Sequence, residues 1–264
     1  MNYFDALFLG VIQGITEFLP ISSSGHLIIL REILGLSEVN GLAVDALLQL
    51  ATALAVVVYF MRDFVRIAKS IFTSKSTRST DETKDRTLAL AIIIGTIPAV
   101  FFGLILENAM ETVFRSTKVV AGTLLFGSLL MVLAEKMYKG LSELTVRKGF
   151  VLGLFQALAL LPGVSRSGAT ISGGMILGLT REDATKASFM FAVPILVGSG
   201  LKKTFELFGS GSEQIGGPLY LAFFVSFFVG IFVIRFLLRF LKTHTLYPFV
   251  YYRIILAIVI LLLL

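Results

Sequence analysis

Six apolar segments constrain this chain more than any single motif does. They run over residues 42–61, 87–106, 117–134, 183–201, 218–238 and 247–264 and carry few charges. A helix crosses about 30 Å of hydrocarbon in ~20 residues. A soluble fold would have to bury nearly every one of these helices on all sides. The composition argues against that: 56% of the 264 residues are hydrophobic and 15% are charged, where a soluble domain carries about 25% charged residues. There is no cysteine, which removes disulfides and thiol chemistry. Apolar sequence begins at once, near residue 4, without a charged leader or a small-residue cleavage site, so no removable signal is expected.

Two further regions are apolar but interrupted. In 4–34 the break falls at Leu19-Pro20-Ile21-Ser22-Ser23-Ser24-Gly25, and in 149–179 at Pro162-Gly163-Val164-Ser165-Arg166-Ser167-Gly168. Each break leaves two arms about half a bilayer long, the pattern of a re-entrant helical hairpin. Non-helical backbone at that depth is tolerated only where protein or a watery cavity satisfies it. Residues 73–86 contain no apolar side chain and read as a solvated loop.

The two interrupted regions share a register. A shift of 143 positions lays Leu9-Gly10 on Leu152-Gly153, Gln13 on Gln156, Ser22 on Ser165 and Ser24-Gly25 on Ser167-Gly168. The chain then reads as one membrane domain over 1–264, built from repeats 1–143 and 144–264. Each repeat holds one hairpin and three spans. A hairpin does not cross, so three crossings place the second repeat upside down relative to the first. The expected fold is an all-α polytopic membrane protein with six transmembrane helices plus two re-entrant helical hairpins arranged as an inverted repeat, whose site lies where the broken helices meet.

Lys and Arg set the expected orientation. One side receives Arg62, Arg66, Lys69, Lys75, Arg78, Lys84, Arg86, Lys136, Lys139, Arg147, Lys148, Arg181, Lys186, Arg239 and Lys242; the other receives Arg31, Arg115, Lys118, Lys202 and Lys203. The first set belongs in the cytoplasm, which turns both termini outward. The net charge of +6 is assigned to these loops and not to nucleic acid.

Polar groups within the bilayer are costly and mark function. The first break gathers Gln13, Glu17, Ser22, Ser23, Ser24 and His26; the second gathers Ser165, Arg166, Ser167 and Thr170. A guanidinium suits phosphate oxygens. Helix N-termini opening on Ser and Gly suit an anion. A hydroxyl or imidazole beside an acid makes a nucleophile system. Plainer readings stand alongside. Glu17 and Arg166 make a structural ion pair, the serines close broken helices, His26 is an interior hydrogen-bonded residue, Asp45 sits at the interface, and Arg253 snorkels or pairs locally.

The run from Gln13 to His26, QGITEFLPISSSGH, and the run from Leu161 to Gly174, LPGVSRSGATISGG, resemble the two signatures of the bacterial undecaprenyl-diphosphate phosphatase family, the bacitracin-resistance type. Asp45 with Gln49, and Ile97-Pro98-Ala99, extend the resemblance along essentially the whole chain. It implies a bacterial plasma-membrane enzyme with its site opening toward the outer face. The implied reaction converts undecaprenyl diphosphate to the monophosphate carrier of cell-wall synthesis, aided by a divalent cation, Mg²⁺ or Ca²⁺. The family often has Glu where this chain has Gln13, so Glu17 is expected to hold the cation alone. Arg166 and the hairpin N–H groups, with Gln13, Ser22, Ser24, Ser165, Ser167 and Thr170, would bind the phosphates. Two nucleophiles stand side by side: Ser23 with His26 as general base, or His26 itself. A transporter or flippase for a phosphorylated isoprenoid lipid is the rival function, and a homodimer is left open.

Overall fold

A computed structural model of the chain describes residues 1–35, 41–73, 79–111, 116–209 and 216–263. The described residues form eleven helices and no strand: α1 (Tyr3–Thr16), α2 (Ser23–Leu34), α3 (Gly41–Tyr59), α4 (Met61–Phe72), α5 (Thr80–Glu111), α6 (Thr117–Met137), α7 (Val146–Leu158), α8 (Arg166–Ile176), α9 (Arg181–Gly209), α10 (Gly217–Thr243) and α11 (Tyr247–Leu263). Lys75, Arg78 and Arg115 of the charge count, and the terminal Leu264, lie outside the described residues.

Four of these helices are long and apolar enough to cross a membrane: α5, α6, α9 and α10. The expected span at 42–61 is α3, which meets α4 at a bend of 75°. The expected span at 247–264 is α11, one of two shorter apolar helices together with α1. Apolar surface is turned outward, as a lipid solvent requires. Phe224, Phe228 and Phe232, four apart on α10, are all exposed.

The expected loop at 73–86 is corrected in part, because Thr80 onward forms the first two turns of α5. Ser79 supplies the start signal. Its Oγ accepts from Glu82 N at 3.2 Å, and Glu82 Oε2 accepts from Ser79 N at 2.8 Å. Such a reciprocal cap satisfies two orphan donors. From Ser79 on, this run without apolar residues is therefore an exposed helix start. Asn2 and Asp5 open α1 by the same device.

Ion pairs gather one end of the bundle. Arg66 pairs with Asp63 and Asp85, Lys186 with Asp63, Lys84 with Glu143, Arg181 with Glu135, and Lys242 with Glu182. The starts of α5, α7 and α9 and the ends of α3, α6 and α10 thus lie together. α1 packs along α10, and α7 along α5, in the most extensive helix contacts of the molecule. Two glycines make this closeness possible. A Cβ on Gly10 would stand 2.6 Å from Ala222 O, and one on Gly153 would stand 2.1 Å from Gly95 O. Gly149 meets Ala91 and Gly153 meets Gly95, so α7 runs parallel to α5. Gly10 meets Ala222 and Gly14 meets Ser226, so α1 runs parallel to α10. α5 begins at the charged end and α10 finishes there. α1 and α7 therefore enter from opposite ends.

Candidate active site

Each broken region ends one helix and starts another through the same backbone device. Ser22 and Ser165 are the only described non-glycine residues with positive φ, at 76° and 75°. L-residues avoid that region, at a cost of about 1–3 kcal/mol each, and such strain clusters at functional sites. Each serine caps the helix that follows. Ser22 Oγ accepts from Gly25 N at 3.3 Å and Ser165 Oγ from Gly168 N at 3.2 Å. The two breaks also hold each other. Gly163 N donates to Ser22 Oγ at 3.1 Å, and Ser167 Oγ donates to Leu19 O at 3.1 Å.

Glu17 stands where the breaks meet, just beyond α1, and is 5% exposed. Its Oε1 accepts from Arg166 Nη2 at 2.7 Å. Its Oε2 accepts from Ser23 Oγ at 2.8 Å and from Gln13 Nε2 at 3.0 Å. Arg166 Nη1 donates to Ser188 O at 3.1 Å. Thr170 Oγ1 and Ser188 Oγ share a hydrogen bond of 2.5 Å, which fixes the segment that holds the guanidinium. The side-chain oxygen of Gln13 and the Nε of Arg166 are buried with no partner among the described residues.

These groups open on a cavity of about 470 Å³. Its polar wall is Glu17, Ser22, Ser23, Ser24, Ser165 and Arg166, and its apolar wall includes Leu27, Val100, Leu104, Leu160 and Leu196. Asp45, Lys202 and Lys203 line it as well. Gln13, Ser167 and Thr170 are fully enclosed and support this wall from behind. The first-turn N–H groups of α2 and α8 have no intrahelical acceptor and carry the positive end of each helix dipole.

His26 is hydrogen-bonded through both ring nitrogens. Its Nδ1 lies 2.7 Å from Ser22 O and its Nε2 2.7 Å from Tyr252 OH. A carbonyl only accepts, so Nδ1 carries a proton and donates to Ser22 O. Ser23 reaches back across the break to Glu17, while His26, one turn on, faces α11. The side-chain acceptor beside the Ser23 hydroxyl is thus a carboxylate.

Arg253 neither snorkels nor pairs locally. It is 0% exposed, and it donates to Pro20 O at 3.2 Å, Gly163 O at 2.9 Å, Leu124 O at 2.9 Å and Ser128 Oγ at 3.1 Å. One side chain of α11 thereby ties both breaks to α6. Asp45 is buried and paired with Arg31, which fastens the end of α2 to the start of α3. Gln156 was legible only through its register with Gln13, yet it lines the cavity and is 3% exposed. Among the described residues no group of three or more His, Cys, Asp or Glu side chains could hold a metal alone.

A sequence model of the family described as "Bacitracin resistance protein BacA" matches residues 6–259. Among curated relatives, the undecaprenyl-diphosphatase of Pseudarthrobacter chlorophenolicus is 40% identical, covering 100% of this chain and 98% of its own length. That of Micrococcus luteus is 42% identical over 97% of this chain and 95% of its own. Undecaprenyl-diphosphatase 2 of Agrobacterium fabrum is 41% identical over 100% and 96%. Similarity of this extent, running through both breaks, is decisive: the chain belongs to the BacA family of bacitracin resistance proteins.

Proposed function

We propose that this chain is an integral membrane phosphatase of the bacterial plasma membrane that hydrolyses undecaprenyl diphosphate to undecaprenyl phosphate and inorganic phosphate. The observation that carries the mechanism is the Ser23 hydroxyl held 2.8 Å from Glu17, beside Arg166, on the wall of one cavity. Ser23 Oγ attacks the terminal phosphorus and its proton passes to Glu17 Oε2. The bond from that phosphorus to the bridging oxygen breaks, and the lipid monophosphate leaves. Water then attacks the phosphoserine, Ser23 regains a proton, and inorganic phosphate departs. Arg166 and the N–H groups opening α2 and α8 offset the charge that develops on the phosphoryl oxygens. The apolar cavity wall suits the isoprenoid chain.

The residues fit a divalent cation that arrives with its substrate. Glu17 would supply the carboxylate on the cavity wall, with the enclosed Gln13 orienting it from behind, and Mg²⁺ is commonly held by one or two carboxylates plus substrate phosphates. When bound, such a cation neutralises phosphate charge and polarises the phosphoryl group.

The site follows from an inverted repeat, 1–143 against 144–264, with six spans and two re-entrant hairpins. The strained caps Ser22 and Ser165 stand 143 positions apart, as do the close-packed Gly10 and Gly153. α1 and α7 enter from opposite ends. The Arg31–Asp45 pair ties α2 back to the end where α1 began, and Ser142 N donates to Gly178 O just beyond α8, at the end where α7 began.

Purified protein in detergent is expected to release inorganic phosphate from undecaprenyl diphosphate, to stop on addition of a chelator, and to resume with Mg²⁺ or Ca²⁺. No gradient exists in detergent, so a flippase or transporter would release none. That result would overturn the phosphatase reading.

A further inference from the structure

We infer that Gln156 is a further substrate-positioning residue, whose side-chain amide hydrogen-bonds a non-bridging oxygen of the bound diphosphate. The inference rests on the phosphatase reading and adds a contact to the same cavity. Gln156 sits in the last turn of α7 and is 3% exposed. Both its Nε2 and its Oε1 are buried with no hydrogen-bond partner among the described residues. A primary amide has two donors and one acceptor, and native proteins rarely leave all of them unmade in a buried position. Gln156 lines the cavity that Glu17, Ser23 and Arg166 line.

The register between the two halves explains how the amide came to be unpaired. Gln13 and Gln156 stand 143 positions apart, and so do Glu17 and Leu160. Gln13 donates to Glu17 at 3.0 Å, four residues on. Four residues on from Gln156 is Leu160, which also lines the cavity and offers nothing to accept. The second half keeps the amide and lacks the carboxylate, which leaves both donors for a ligand. An amide is neutral, so it adds directional donors without drawing charge from Arg166. A phosphate oxygen is the acceptor that this cavity is otherwise built to receive.

Gln156→Met tests the assignment, because Met keeps length and volume and removes every polar atom. The thermal midpoint of the variant in detergent is expected at or above that of the parent, since an unpaired buried amide has been taken away. Its kcat/KM on undecaprenyl diphosphate is expected to fall about 10- to 100-fold, the range for a hydrogen bond to a charged group. The thermal shift produced by inorganic pyrophosphate, which needs no turnover, is expected to shrink alongside. Gln156→Glu keeps the shape and loses the paired donors, and should lose the pyrophosphate response too. A Met variant with the parent's kcat/KM and pyrophosphate shift would overturn the inference, as would a full pyrophosphate response in Gln156→Glu. Parent protein that releases no phosphate would instead overturn the phosphatase reading itself.

Discussion

Glu17 accepts from three side chains at once, and each bond does something different. Gln13 orients the carboxylate, Arg166 balances its charge, and Ser23 presents a hydroxyl to it. The sequence left Arg166 between two roles, a phosphate clamp and an ion-pair partner. The structure makes the ion pair, and the geometry leaves room for both roles. The guanidinium spends Nη1 on Ser188 O and Nη2 on Glu17, while Nε remains buried and unpaired among the described residues. Lysine would keep the charge, yet a single ammonium cannot reproduce the planar fork between Ser188 and Glu17. Arg166→Lys is therefore expected to lose on the order of 10²–10³ in rate, the usual effect of removing a preorganised donor. Its thermal stability in detergent should stay near the parent's, because the pair with Glu17 survives. Initial rates and a melting curve on the same preparation check this. A Lys variant with most of its turnover would return Arg166 to a purely structural role. The different contacts of Ser23 and His26 were not legible in sequence, because spacing placed both on one helical turn, whereas in the structure Ser23 reaches back across the break to Glu17 and His26 meets Tyr252.

Broken helices need something to hold the break, and here that element is α11. Its Arg253 donates to carbonyls of both breaks, Pro20 and Gly163, and to Leu124 and Ser128 on α6. Unwound backbone exposes carbonyls that no lipid can satisfy, and one guanidinium answers several of them. Hydrogen bonds within membrane proteins average about 0.6 kcal/mol each, so four lost together predict a loss on the order of 2–3 kcal/mol for Arg253→Met. Activity should fall with stability in that variant, since the two N-termini at the site drift once the carbonyls are released. That joint loss contrasts with Arg166→Lys, where activity falls alone. A melting midpoint of Arg253→Met equal to the parent's would contradict the assignment. The breaks themselves were legible, because Pro, Gly and Ser interrupt an apolar run at both places. The role of Arg253 was not, because its four acceptors are main-chain or hydroxyl oxygens scattered over three distant segments.

At the scale of the molecule, the asymmetry of charge was readable as basic residues gathered on alternate connections, and a shared register of Gly, Gln and Ser 143 positions apart was readable beside it. Distances between the halves were not readable, since no local pattern reports which helix packs on which. The ion pairs now join Arg66, Lys84, Arg181, Lys186 and Lys242 at one end of the bundle. The cavity is lined instead by Lys202 and Lys203, which lie toward the other end of α9, far along the helix from Arg181. By the positive-inside rule the richly basic end is expected in the cytoplasm, which would turn the cavity outward. This orientation admits a direct test because the chain has no cysteine. Ser79→Cys places a thiol at the exposed cap of α5, at the basic end, and Lys202→Cys places one at the mouth of the cavity. In right-side-out membrane vesicles an impermeant maleimide is expected to label the position 202 variant at once. The position 79 variant should label only after the vesicles are opened. The reverse pattern would invert the molecule and turn the site toward the cytoplasm. Substrate would then have to be drawn from the inner leaflet, and hydrolysis would release phosphate inside the cell. Equal labelling of both thiols in sealed vesicles would count against a fixed orientation altogether. The expected pattern puts the cavity and the two helix N-termini that open on it on the outer side of the bilayer.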